Sequence, residues 1–223
     1  MTDLKTSPAP VEDAELGKVP DRPYKTVLLI GAPGAGKGTQ GAILGKIPGF
    51  YHCACGDVFR SIDISSRLGK IFYECSSRGE LVPDEVTVAM WSEAIHAHTV
   101  LSEYKPRKDL LILDGIPRTL RQAELMERYI KVLRIIHLVC KNEEAMFERL
   151  RRRALKENRF DDADEEVIRH RWEVYEKETA PILKYYPKDL IKEVDSLGSP
   201  ARVLLDVLAE VEPIQNKHFA AQD

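Results

Sequence analysis

Residues 31–40, GAPGAGKGTQ, combine glycines and a lysine in a way that could wrap an anion. Gly31, Gly36 and Lys37 meet the phosphate-loop pattern G-x-x-x-x-G-K-[ST]. The next position should offer a hydroxyl to Mg²⁺, but it is Gly38, and a hydroxyl comes only at Thr39. The loop follows an apolar run, Val27-Leu28-Leu29-Ile30, and precedes a helical pattern at 39–46. In that setting backbone N–H groups and a helix N-terminus surround phosphate oxygens, while Lys37 reaches the terminal phosphates. A Gly-rich turn without ligand is the simpler alternative, and the lysine and its flanking elements argue against it.

Phosphoryl transfer asks a protein for alignment and positive charge rather than covalent chemistry. Arginines stand where they could supply both. Arg60 follows CGD. Arg118 follows LLILDGIP, just beyond the carboxyl end of a strand, where ligands bind in open α/β sheets. Arg149 and Arg153 are four apart and share one helix face, and Arg159 and Arg171 follow. Arg151, Arg152 and Arg169 read as solvated surface.

These groups need a frame, and the pattern of apolar runs provides one. Strands are predicted at 27–30, 50–54, 110–113, 134–140 and, more weakly, 190–194. Helices are predicted at 39–46, 84–101, 120–131, 143–155, 165–185 and 200–211. Strand–helix alternation implies an α/β fold, with parallel strands joined by right-handed crossovers and helices on both faces. Two further helical segments, 57–65 and 67–78, exceed what one crossover needs and read as an insertion.

The 223 residues, 43% of them apolar, suffice for one large domain with small insertions. A net charge of −3 gives no general affinity for nucleic acid or anionic membrane. No stretch approaches the roughly 20 apolar residues of a membrane span, and the start of the chain lacks a secretory pattern, so a cytoplasmic protein is expected. Residues 1–24 hold four of the 13 prolines and no apolar run, and are expected to be a disordered tail. The domain is expected to span 25–212, with 213–223 a second tail. Cys53, Cys55, Cys75 and Cys140 form no C-x-x-C pair and read as reduced thiols.

In this order and spacing, GAPGAGKGTQ, CGDVFR, GELVPDE, DGIPRTLRQA and RLRRR resemble the adenylate kinase family, over about residues 25–211. The resemblance explains Gly38, because that family has the same glycine between loop Lys and Thr. It implies a doubly wound five-stranded parallel sheet of order 2-3-1-4-5, a monophosphate-binding insertion at about 55–83 and a short lid at about 154–159. It implies reversible transfer from ATP to AMP, giving two ADP, in a monomer.

Gly31, Ala32, Pro33, Gly34, Ala35, Gly36, Lys37, Gly38 and Thr39 would bind the ATP phosphates. Arg60 and Arg118 would hold the acceptor's phosphate beside Gly115. Leu81 and Val82 would wall its base, and Gln122 would read the adenine edge, where related pyrimidine nucleotide kinases carry Asn. Arg149, Arg153, Arg159 and Arg171 would close on the transferring phosphate. Mg²⁺ would sit on phosphates and water near Asp57 and Asp114. The short lid leaves no place for structural zinc.

Three departures stand out. The family's STGD is ACGD here, so Ala54 and Cys55 replace two hydroxyls, and Cys55 falls in the AMP pocket. DGFPR is DGIPR, with Ile116. Arg159 and Arg171 are twelve apart, one more than the resemblance implies, which could displace either. Position at a helix start near Arg60 can depress the thiol pKa of Cys55, and a packed, inert thiol is the equal alternative. A UMP/CMP-type kinase and a nucleotide-binding switch are the alternatives. A GTPase-like switch would need N-K-x-D, which CKNEEA at 140–145 does not supply.

Overall fold

The structure, a computed structural model, describes residues 17–157 and 164–219. Five parallel strands form one sheet: β1 (Tyr24–Gly31), β2 (Phe50–Ala54), β3 (Leu110–Asp114), β4 (Ile130–Val139) and β5 (Ile191–Asp195), in the order β2-β3-β1-β4-β5. The strand that leads into the phosphate loop is central. Its continuous apolar run has a direct cause: both faces are covered. Leu28 and Ile30 pack with Trp91, Ile95, Tyr129 and Ile182 on one face. Val27 and Leu29 pack with Leu44, Met146, Val203 and Val207 on the other.

Helix α1 (Lys37–Leu44) follows the loop. The insertion is α2 (Cys55–Arg60) and α3 (Arg67–Ser77), the latter capped by the Ser66 hydroxyl, which accepts from the Gly69 N–H. Helix α4 (Asp84–Val100) starts after Pro83 with Asp84 and Glu85 in its first turn, where acids suit the dipole. Helices α6 (Glu143–Glu157) and α7 (Glu165–Val174) flank residues 158–163. The expected lid at about 154–159, and Arg159 with it, therefore falls partly outside the described residues.

Several boundaries differ from those predicted. Helix α5 (Leu120–Met126) ends well before 131, and β4 begins at Ile130 rather than 134. Residues Ile130–Val132 pair with Tyr24–Thr26, and an irregularity at Thr26/Val27 then shifts the register so that Val27 meets Arg134. That break in period is what hid the strand's first residues. After α7 the chain continues as a π-helical turn, Tyr175–Thr179, and a 3₁₀ turn, Ala180–Lys184, because Pro181 has no N–H to extend an α-helix.

Helix α8 (Pro200–Phe219) runs through Pro213, well beyond the expected tail boundary at 212. Ile214 is buried, Lys25 Nζ donates to the His218 carbonyl at 3.1 Å, and the same ammonium lies 4.7 Å from the Phe219 ring centre. These contacts outweigh the one helical hydrogen bond that Pro213 removes. At the other end, residues 1–16 of the expected tail lie outside the described residues. Order begins before Tyr24, since the Tyr129 hydroxyl donates to the Gly17 carbonyl at 3.4 Å.

Candidate active site

A cleft of about 830 Å³ opens at the carboxyl ends of the strands and is lined by the loop, the insertion and α6–α7. That is where an open parallel sheet exposes strand-end loops and helix N-termini together. Gly36, the residue before α1, has φ +93°, a left-handed conformation that glycine adopts without strain. Lys37 Nζ donates to the carbonyls of Gly31 at 2.7 Å and Ala32 at 3.1 Å, so the ammonium lies along the loop. The Trp172 indole N–H donates to the Pro33 carbonyl at 3.2 Å and ties α7 to the loop. A Cβ on Gly38 would come within 3.5 Å of Asp114 Oδ2. The position that usually carries a hydroxyl thus faces a carboxylate at the end of the adjacent strand.

Positive charge converges here. Burial holds Lys37 down to about 8. Asp114 opposes that shift, while Arg118, Arg153 and Arg171 add to it. Arg118 is also lowered, chiefly by burial and then by Arg171 and Arg60, with Cys55 and Asp114 opposing. Three arginines that repel one lysine make a field that a polyanion would relieve. Arg118 Nε donates to the Gly115 carbonyl at 2.9 Å, its N–H donates to Gln122 Oε1 at 2.7 Å, and its carbonyl accepts from the Thr179 hydroxyl at 2.9 Å. The residue is held at three points, its guanidinium and both polar groups of its backbone. Arg149 Nη2 donates to the Ser196 carbonyl at 2.9 Å. Arg171 lines the cleft despite the extra residue that precedes it.

The insertion brings Arg60, Leu81 and Val82 to the cleft wall. Arg60 Nη2 pairs with Asp57 Oδ1 at 2.6 Å, so the two residues expected on phosphate and metal are joined to each other. Gln122, 1% exposed, has its amide nitrogen on Asp84 Oδ1 at 2.9 Å. The same Asp84 oxygen accepts from the Thr119 hydroxyl at 2.9 Å.

Of the two readings of Cys55, the structure favours the packed thiol. It is the first residue of α2 and borders the cleft, yet it packs into the core at 2% exposure. Burial pushes its thiol up to about 12, and the opposing pull of Arg118 and Arg60 is weaker. Dehydration of a thiolate outweighs a helix start and a nearby cation. Sequence reasoning also missed Thr179 and Asp84. Asp84 stands inside the quoted GELVPDE, but its partners are distant in the chain, and nothing local marks Thr179.

A family model described as "Adenylate kinase" matches residues 29–191. Relatives named adenylate kinase include that of Thermobifida fusca, 40% identical over 179 residues, covering 77% of this chain and 90% of the relative. That of Kocuria rhizophila is 35% identical over 192 residues, covering 83% of this chain and 98% of its own length. That of Thermus thermophilus is 35% identical over 192 residues, with coverages of 83% and 96%. The chain belongs to the adenylate kinase family. Proteins of the adenylate kinase family are nucleoside monophosphate kinases, and the sheet order and strand-end cleft described above are the frame of such a phosphotransferase. Among the described residues no helix is long and apolar enough to cross a membrane.

Proposed function

We propose that this chain transfers the terminal phosphoryl group of MgATP reversibly to AMP, giving two ADP. The observation that carries this reading is the convergence of Lys37, Arg118, Arg153 and Arg171 on one cleft that also holds Gln122. In the proposal the loop N–H groups and Lys37 bind the donor phosphates. Arg60 and Arg118 take the acceptor phosphate. Leu81 and Val82 flank the acceptor base, and Gln122 reads its edge. Arg149, Arg153 and Arg171, with Arg159, gather on the moving group.

No general base is required. A monophosphate's second pKa is about 6, so its attacking oxygen is already ionised at neutral pH. The task that remains is to align two polyanions in line and hold them despite their repulsion, which fixed cations accomplish. Mg²⁺ supplies charge neutralisation when it arrives with the nucleotide. It keeps several waters and uses one or two carboxylates. Asp114, beside the loop, would be the carboxylate to hold it, and Asp57, here paired with Arg60, would contribute through water.

The reading invokes no zinc. It takes the chain as a monomer and as cytoplasmic, the latter in keeping with four free cysteines. A coupled assay with MgATP and AMP, CMP, UMP or GMP tests it. AMP should have the highest kcat/KM. Preference for a pyrimidine nucleotide, or ATP hydrolysis without acceptor at the rate of transfer, would replace it by one of the alternatives.

A further inference from the structure

The Gln122 amide has a fixed direction, and the residue that fixes it lies on another element. Its oxygen accepts from the Arg118 N–H at 2.7 Å, and its nitrogen donates to Asp84 Oδ1 at 2.9 Å. Turning the amide over would set NH₂ against N–H and oxygen against carboxylate, so both bonds would become repulsive. Asp84 is itself held, since the Thr119 hydroxyl donates to the same oxygen and Thr119 in turn accepts from the Gln122 N–H. Asp84 opens α4, immediately after the insertion, and Gln122 lies in α5, so the contact spans 38 positions of sequence.

We infer that Asp84 is a positioning residue that sets which class of base the acceptor site takes. The inference rests on the reading of Gln122 as the base-contacting residue. An amide has two N–H donors and an oxygen with two lone pairs. After its two internal bonds, Gln122 keeps one N–H and one lone pair, in a set order along the cleft wall. With the acceptor phosphate anchored by arginines, the base meets that order from one direction only. Adenine offers an amino donor beside a ring-nitrogen acceptor, and so does cytosine. Guanine and uracil offer an oxo acceptor beside a ring N–H donor, which is the reverse. A locked amide therefore separates amino bases from oxo bases, and ring size must separate adenine from cytosine. A site with fixed polar groups rejects a mismatch strongly because those groups are left unpaired.

The test compares kcat and KM for AMP, CMP, GMP and UMP in the full-length protein and in Asp84→Ala, Asp84→Asn and Gln122→Ala. Losing one hydrogen bond to a charged group should lower the AMP-to-GMP ratio of kcat/KM roughly tenfold in Asp84→Ala. The change should lie in the monophosphate KM, with the KM for ATP unmoved. Asp84→Asn retains an acceptor oxygen and should restore most of the ratio. Should Asp84→Ala not fold, Asp84→Ser gives the same reading, because its side chain is too short to reach Gln122. A merely structural Asp84 would lower activity with all four acceptors alike and leave the ratio unchanged, and that result overturns the inference. Gln122→Ala separates the two levels: an unchanged ratio there removes Gln122 from the base site. A ratio that moves in Gln122→Ala but not in Asp84→Ala removes Asp84 alone.

Discussion

Binding a triphosphate should load a proton onto Lys37. Burial depresses this ammonium from 10.5 to about 8, with the arginines adding to the shift and Asp114 opposing it. Phosphate oxyanions against Nζ act in the opposite sense, because a neighbouring negative charge favours the protonated form. With a pKa of about 8, the free protein carries Lys37 about one-tenth neutral at pH 7, about one-half at pH 8 and about nine-tenths at pH 9. MgATP binding should therefore take up roughly 0.9 proton at pH 9 and roughly 0.1 at pH 7, the phosphates themselves being fully ionised at pH 9. The apparent Kd should weaken by up to about tenfold per pH unit above pH 8. Calorimetric titration at pH 9 in two buffers of different ionisation enthalpy measures the uptake directly, and Lys37→Met is the control that should abolish it. Uptake near zero at pH 9, or equal uptake in Lys37→Met, would refute the argument. The ligand-free fold has its own pH dependence. A lysine pKa lowered by folding destabilises the native state while the unfolded chain holds the proton more tightly. That cost is full below pH 8 and is relieved as pH rises from about 8 towards 10.5, so this group's contribution to stability improves across that window.

Arg118→Ala should lose roughly 10²- to 10⁵-fold in kcat, as expected for a charge-stabilising group in phosphoryl transfer. Arg118→Lys should recover little, because an ammonium cannot copy a two-pronged guanidinium on phosphate; steady-state kinetics within about threefold of the parent for Arg118→Ala would contradict its assignment. Cys55, at 2% exposure and with its thiol near 12, should resist iodoacetamide in the native protein at pH 7.5 while the partly exposed Cys75 and Cys140 are modified, and peptide mass spectrometry showing Cys55 labelled as fast as Cys140 would contradict its burial. Ending the chain after Glu212 removes buried Ile214 and the Lys25–His218 contact. That should cost about 2 kcal/mol and lower Tm by roughly 4–8 °C. An unchanged Tm would mean the last turns of α8 contribute nothing.

The phosphate loop was legible because its requirements are local: a left-handed Gly36, a lysine beside it, and an apolar strand before it. The alternation of strands and helices was legible for the same reason, since side-chain period is a property of neighbours. Strand order came with the family resemblance rather than from spacing, and the sheet has that order. The start of β4 was not legible. Ile130–Val132 look like the end of a helix until β1 supplies backbone partners, and the register break at Thr26/Val27 erases the period that would have marked them.

The site divides along the same line. That Arg118 stands at a strand end is a fact of sequence, whereas its hold by Gly115, Gln122 and Thr179 depends on a residue 61 positions away. Sequence left two readings of Cys55, a packed inert thiol or, beside a helix start and a cation, an acidic one. Only packing could show that the thiol faces the core, where loss of water outweighs both. Asp84 and Gln122, and Lys25 and His218, 193 apart, meet only when the chain is folded. Local geometry and residue type are written along the chain; burial, pairing and the charge states that follow from them are properties of distance in space.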